Sequence, residues 1–165
     1  MYFKISDFIN DFDLETSATL KIFKSLTDKS LDQKVTEKGR SLGKIAWHIA
    51  GAFSEIGSAA RLEIYSIDEK SIPPCAKTIA EEYSKSASSF KEAVSKGWDD
   101  ASLKEEINMY GNTWTKGQTL SVLLVHQIHH RGQMTVLMRQ AGLKVPGFYG
   151  PAYEEWESMG MPPQE

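Results

Sequence analysis

The fold class is decided by residues 115–142, which read TKGQTLSVLLVHQIHHRGQMTVLMRQAG. Thr115 and Gln118 form a T-x-x-Q pair typical of a helix N-terminus, and Gly142 is typical of the position just after a helix. At about 100° per residue, one narrow side of this predicted helix should face the interior of a bundle. That side carries Leu123, His126, His130, Gln133 and Leu137. The stretch therefore predicts a long helix that turns two histidines toward its neighbours.

Three further segments have helical periodicity, and strand-like alternation is almost absent from the chain. They span residues 6–26, 41–65 and 78–96, and their candidate N-terminal caps are Ser6, Ser41 and the Thr78/Glu81 pair. A loop joins the third segment to the fourth, and the tail from residue 145 onward is rich in proline, glycine and aromatic residues. We predict an all-α fold, a four-helix bundle with long inter-helix loops and an irregular C-terminal tail.

Length and composition restrict the class of protein. The 165 residues, 41% of them hydrophobic, suffice for one packed core, so we expect a single domain over residues 1–165. The net charge of −3 and the scattered basic residues do not form the basic stripe typical of nucleic-acid binding. No apolar run reaches the roughly 20 residues of a membrane-spanning helix, and no signal-peptide pattern is present. We therefore expect a cytoplasmic protein that binds neither nucleic acid nor membrane, in which the lone Cys75 is a loop residue.

The four histidines are the candidate functional residues. Positions 126 and 130 are one helical turn apart, so His126 and His130 project from one face and can bind the same ion. His48, within the second predicted helix, is the candidate third ligand. From the residues alone two other interpretations stay open: a solvated histidine pair, and a hydrogen-bonded His48 in the core.

The donor type limits the metal. Three imidazoles with an open fourth position suit Zn, Ni, Fe or Co, whereas Mg or Ca sites need several carboxylates and soft-metal sites need thiolates. A ferritin-like di-iron centre is disfavoured because no glutamate stands three residues before a histidine. The zinc-peptidase motif H-E-x-x-H is absent as well, because Gln127, Ile128 and His129 separate the paired histidines.

Several neighbours of the histidines have open roles. Glu55 lies two turns beyond the first histidine and could orient a ligand or remain a solvated or salt-bridged side chain. Arg131 and Gln133 could bind a substrate carboxylate or hold an imidazole tautomer, and Arg131 could equally brace the tail or a partner subunit. His129 offers a competing geometry. Packing roles are expected for Trp47 and Trp114.

Two motifs carry a resemblance to a known family. The first is Leu42-Gly-Lys-Ile-Ala-Trp-His48-Ile-Ala in the second predicted helix, and the second is His126-x-x-x-His130-Arg-Gly-Gln133 in the fourth. With residues 140–151, they resemble the DinB/YfiT-like family of four-helix bundle proteins. The likeness extends over most of the chain, and the His-Arg-Gly-Gln core is fairly specific.

The resemblance implies a homodimeric four-helix bundle in which His48, His126 and His130 hold a divalent metal, Zn, Ni or Fe, while His129 lies outside the ligand set. It further implies a metal-dependent enzyme, a transferase or a hydrolase, in which a low-molecular-weight thiol or water attacks a small electrophile. The alternative is a non-catalytic stress-response or ligand-binding protein with a structural or vestigial metal site. A third possibility is that the histidines bind nothing and the protein acts through its dimer surface.

Overall fold

A computed structural model describes residues 1–162. Four helices dominate the structure. They are α1 (Ile5–Lys24), α2 (Leu42–Ala59), α3 (Ala76–Gly97) and α4 (Lys116–Gln140). α1 and α2 each pack against both α3 and α4, so α1 and α2 lie on one diagonal of the bundle and α3 and α4 on the other. The predicted all-α four-helix bundle is confirmed.

Two of the predicted N-terminal caps are confirmed. Ser41 Oγ accepts a hydrogen bond from the Lys44 amide at 3.2 Å, and Thr115 Oγ1 accepts one from the Gln118 amide at 3.1 Å. Each bond satisfies an amide that has no partner within its own helix. The starts of α2 and α4, the two helices that carry the histidines, are thus determined by local sequence.

The other two predicted N-terminal caps and the predicted end of α2 are wrong. Ser6 and Thr78 both lie inside helices, because α1 and α3 begin earlier than predicted. Their first amides instead donate to carboxylates that are distant in sequence, Asp100 for α1 and Asp28 for α3, each at 2.8 Å. α2 ends at residue 59 rather than near 65, and Arg61 just beyond it has a φ of 61°, outside the helical range.

Aromatic rings form the centre of the core. Phe12 and Phe90 stack with centroids 6.0 Å apart, and Phe53 lies 5.6 Å from Phe12 and 5.8 Å from Phe90. Each of the three side chains is 1% exposed. Burial of one such side chain stabilises the fold by about 1.5–3 kcal/mol. Because these residues come from α1, α2 and α3, the cluster fixes the relative positions of three helices.

The connection before α4 contains a small hairpin that the sequence did not predict. β1 (Glu106–Met109) pairs antiparallel with β2 (Asn112–Thr115). Tyr110 and Gly111 form the turn with φ values of 57° and 80°, the left-handed conformation of tight hairpin turns. Two four-residue strands are too short to produce a detectable alternation, which is why the connection was expected to be a loop.

The tail is irregular, as predicted, over the described residues 145–162, where it has two short 3₁₀-helical turns, Tyr153–Glu155 and Glu157–Met159. Its last three residues, 163–165, lie outside the described part of the chain. Cys75 immediately precedes α3 and is half-buried. Among the described residues, no helix combines the length and apolar character needed to cross a membrane.

Candidate metal centre

Three histidine side chains meet where α2 packs against α4. Nε2 of His126 lies 3.1 Å from Nε2 of His48 and 3.1 Å from Nε2 of His130. One potential ligand nitrogen from each residue lies within 4.8 Å of the others. The bundle therefore brings together the three side chains that the sequence marked as candidate ligands, although His48 and His126 are 78 positions apart.

The histidines lie at one edge of the buried face of α4. The centre of that face is formed by Gln127 and Arg131, which are 2% and 0% exposed, whereas Gln133 is exposed to solvent. Leu123, His130 and Leu137 of the predicted stripe are buried in the bundle, whereas Gln133 is not, because the stripe lies on the α2 side of α4. This edge position leaves His126 and His48 half-buried, so a small molecule can approach them.

Two side-chain oxygens determine the orientation of two imidazoles. Glu69 Oε2 lies 3.3 Å from Nδ1 of His48, and Gln133 Oε1 lies 2.8 Å from Nδ1 of His130. Because both oxygens are acceptors, a neutral ring carries its hydrogen on Nδ1 and turns the lone pair of Nε2 toward the other histidines. Gln133 also places its Nε2 3.1 Å from Nε2 of His129. The predicted tautomer-holding role suits Gln133, and His129 lies on the surface beyond it.

The donor set fits a divalent transition metal. Nitrogen ligands of a tetrahedral site at the usual Zn–N distance of about 2.0–2.1 Å are about 3.3–3.4 Å apart, and the two Nε2 separations of 3.1 Å that involve His126 are close to that value. Neutral imidazoles suit Zn, Ni, Fe or Co and are poor ligands for Mg or Ca. His48, His126 and His130 are thus the residues that could hold the ion.

The same environment keeps two of the rings neutral. Burial, together with the neighbouring His130, His48 and Arg40, lowers the pKa of His126 from 6.5 to about 4, with burial the largest cause. Burial also lowers the pKa of His130, although its bond to Gln133 acts the other way. Neutral imidazole is the form that binds a metal, so both rings are in the ligating state at neutral pH.

Glu55 does not contact a histidine. Its Oε1 accepts a hydrogen bond from the Tyr110 hydroxyl at 3.0 Å, which ties the β1–β2 turn to α2. Burial and this bond raise the pKa of Tyr110 to about 12. Trp114 packs edge-on against Tyr110 with centroids 6.0 Å apart. These contacts give Glu55 and Trp114 structural roles beside the centre.

Arg131 braces the C-terminal tail, which is one of the roles expected for it. Its Nη2 lies 2.6 Å from Oε2 of Glu15 and 2.6 Å from the Tyr149 hydroxyl, and the guanidinium lies over the ring of Phe148 at 4.6 Å. Arg131 is fully buried. Its charge is therefore engaged by α1 and the tail and is not directed at the histidines.

Glu69 is a site residue that sequence reasoning missed. It lies in the connection between α2 and α3, and the main chain there is anchored by Trp47 Nε1, which donates to the carbonyl of Asp68 at 3.0 Å. Gly51 makes its approach possible, because a Cβ at that position would lie 2.5 Å from Cγ of Glu69. The available signal was Gly51 itself, a glycine on a buried helix face one turn after His48.

A cavity of about 420 Å³ opens beside His130. Its walls come from α4, the start of α2 and the polar connection after α1. The remaining lining residues are Val35, Gly39, Arg40, Ile45, Gln133, Val136 and Leu137. Sequence reasoning passed over Val35 and Arg40 because residues 27–40 have no periodicity that relates them to a helix face.

A four-helix bundle with three convergent histidines and an adjoining cavity defines a class of helical-bundle proteins with a candidate metal centre. The chain belongs to the DinB family, whose model matches residues 1–165. The resemblance predicted from the two histidine motifs is confirmed.

Known proteins with similar sequences or structures support this assignment. The uncharacterized protein YrdA of Bacillus subtilis (strain 168) is 43% identical over 162 residues, which cover 98% of this chain and 97% of that protein. A DinB-like protein from Bacillus cereus of known crystal structure is 41% identical, with a TM-score of 0.86 over 89% of this chain and 99% of the other. The DinB-like protein YjoA of Bacillus subtilis shares the fold at 16% identity, with a TM-score of 0.67 over 88% of this chain and 99% of that chain.

Proposed function

We propose that His48, His126 and His130 bind one divalent metal ion and that the protein is a metal-dependent enzyme, a transferase that joins a low-molecular-weight thiol to a small electrophile. The observation that carries the proposal is the convergence of three Nε2 atoms, with that of His126 lying 3.1 Å from each of the other two, next to a cavity that reaches His130. Glu69 and Gln133, as acceptors at Nδ1, favour the ligating tautomer of two rings.

The number of donors favours a catalytic rather than a structural ion. Within residues 1–162, the cluster has three members, whereas structural zinc sites are closed by four protein ligands. An ion held by three neutral imidazoles keeps its positive charge and an open position, and lowers the pKa of a thiol or water that binds there. The choice among Zn, Ni and Fe is part of what the experiments below measure.

The residues of the chain have distinct roles in this proposal. Glu69 and Gln133 hold two imidazoles in place, and the aliphatic side chains of Ile45, Val136 and Leu137 line the cavity. In the transfer, the thiol sulfur forms a bond to the electrophilic carbon. The leaving group departs with the bonding electrons, and the thiol proton passes to solvent.

Metal content is the first test. Protein purified without a metal-affinity tag is examined by elemental analysis, alone and after incubation with zinc, nickel or iron. We expect about one ion per chain in the parent and in His129→Ala, and loss of the ion in His48→Ala and His130→Ala. Absence of metal from the parent after all three incubations would reject the proposal.

Thiol transfer is the second test. The metal-loaded protein is mixed with cysteine, glutathione or coenzyme A and with monochlorobimane as electrophile, and a DinB relative with thiol-transferase activity is assayed alongside. We expect conjugation by the parent and none by His130→Ala. If the parent binds metal but conjugates no thiol while the relative does, the centre belongs to a non-catalytic protein, and the transferase assignment is wrong.

A further inference from the structure

We propose that the cavity beside His130 binds a small amphipathic carboxylate, whose aliphatic part packs against Val35, Ile45, Val136 and Leu137 and whose carboxylate pairs with Arg40. This inference deepens the proposed function by naming a substrate class for the same site. It relies on the proposed function for the reaction that the ligand undergoes, and on the cavity alone for binding.

Two exposed valine side chains in the lining offer an apolar surface to the aliphatic part of the ligand. Val136 of α4 and Val35 of the connection after α1 are 52% and 61% exposed, although both line the same cavity. Ile45 and Leu137 form the buried part of the lining. A hydrocarbon chain placed in the cavity removes the apolar surface of both walls from contact with water, which favours an apolar ligand.

The size of the cavity suits a small molecule. Its volume of about 420 Å³ lies near the lower end of the range of roughly 300–1,000 Å³ that is typical of ligand sites. His130 is one of the lining residues, so a molecule that fills the cavity lies next to the candidate metal centre. A hydrocarbon chain of moderate length fits within such a volume.

Arg40 supplies the charge complementarity. Among the described residues, its guanidinium makes no ion pair and donates no side-chain hydrogen bond, whereas the nearby Lys34 and Lys44 donate to main-chain carbonyls. Arg40 lines the cavity and its charge is felt at both His126 and His130. A free guanidinium with five N–H donors matches the two oxygens of a carboxylate.

The main chain holds Arg40 at this place. Hydrogen bonds of 2.8 Å join the Leu42 amide to the Gln33 carbonyl and the Gly43 amide to the Leu31 carbonyl, so the connection closes onto the start of α2. Arg40 lies within this closed loop, directly before the helix cap. The position of its backbone is therefore set by α2, the helix that also carries His48.

Binding of octanoate and octanol, measured by isothermal titration calorimetry, tests the inference. The two probes have the same hydrocarbon chain and differ in the charged group. We expect the parent to bind octanoate about tenfold more tightly than octanol, and Arg40→Gln to lose that preference. Lys38→Gln, which removes an exposed positive charge from the same loop, should leave both affinities unchanged. Val136→Ser should weaken both probes to a similar extent, because it removes only apolar contact.

A titration of metal-loaded and metal-stripped protein separates this inference from the proposed function. We expect the effect of Arg40→Gln in both forms, and Arg40→Gln should keep its metal by elemental analysis. Arg40-dependent binding in a parent that takes up no metal would support the inference and reject the proposed function. Equal affinity for the two probes, no octanoate binding in the millimolar range, or octanoate binding that needs the metal but not Arg40 would overturn the inference, whatever the metal content.

Discussion

Glu69 Oε2 lies 3.3 Å from Nδ1 of His48, although the two residues belong to different parts of the chain, an irregular connection and a helix. The His48 side chain is 16% exposed and that of Glu69 is 33% exposed. With one third of its surface in water, the carboxylate is screened, so its main effect is on the orientation and tautomer of the ring. This relationship leads to two predictions about metal binding.

Replacement of Glu69 should weaken the metal site without unfolding the protein. Loss of the acceptor at Nδ1 frees the His48 ring, and loss of such a partner typically lowers metal affinity by about 10–100-fold. We expect this range for Glu69→Ala in a competition titration of zinc against a chromophoric chelator. Glu63→Ala, an exposed glutamate in the same connection, is the control and should retain the parent affinity. Equal affinities of the two variants would show that Glu69 does not position the ligand.

Gly51 should be required for the same reason. A Cβ at position 51 would lie 2.5 Å from Cγ and 2.6 Å from Oε1 of Glu69, so the flexible glutamate side chain must move away. We expect Gly51→Ala to lower zinc affinity as Glu69→Ala does, with little loss of thermal stability. Combining the two substitutions should add no further loss, because both act through one carboxylate. An additive double variant would contradict this coupling.

Gly132 in α4, unlike Gly51, has room for a larger side chain. Apart from its chain neighbours and the adjacent backbone of α4, no atom of residues 1–162 lies within 4 Å of a Cβ added there. Alanine in an exposed helix interior is favoured over glycine by about 0.5–1 kcal/mol, so Gly132→Ala should raise the free energy of unfolding by that amount in urea titrations and keep the metal. Destabilisation would instead indicate that another molecule packs against this face. Such a result would support the expected homodimer, which stays a prediction. The cytoplasmic location also stays a prediction.

The parts of the fold that could be predicted depend on local signals. α4 was predicted closely because Thr115 caps its start from within three residues and Gly142, with a φ of 75°, follows its end. The starts of α1 and α3 were not predicted correctly, because the partners of their first amides, Asp100 and Asp28, lie 95 and 48 positions away in the sequence. A short-range pattern contains no information about such partners.

The candidate site also has residues that the sequence predicted and one that it did not. His126 and His130 share a helix face by their spacing alone, and His48 was the candidate third ligand because it lies within the apolar pattern of a second predicted helix. Sequence reasoning considered Glu55 as a supporting carboxylate because it lies on the same helix as His48. The structure places Glu69 there instead, and no periodicity relates an irregular connection to a helix face.

The metal-free protein should lose stability as the pH falls from 6.5 toward 4. Burial lowers the folded-state pKa of His126 to about 4 against an ordinary value of 6.5, so the unfolded chain binds more protons between these values. The stabilisation is complete above pH 6.5 and is lost below it. Because the ring is only half-buried, we expect a modest contribution of about 1–2 kcal/mol. Urea unfolding at several pH values measures it, and His126→Gln should flatten this part of the profile. An unchanged profile in that variant would refute the assignment to His126.

The buried pair of Arg131 and Glu15 should matter far more to stability than the exposed pair of Lys91 and Asp13. The Arg131 and Glu15 side chains are 0% and 13% exposed and lie 2.6 Å apart, whereas those of Lys91 and Asp13 are 38% and 54% exposed at the same distance. Glu15→Ala leaves a fully buried guanidinium with its charge unpaired, so we expect a loss of about 3–5 kcal/mol in urea unfolding. Asp13→Ala should cost less than about 1 kcal/mol, because water already screens that pair. Since the Tyr149 hydroxyl contacts both members of the buried pair, Glu15→Ala should also make the tail more susceptible to limited proteolysis. Similar losses in the two variants would mean that Arg131 finds another partner.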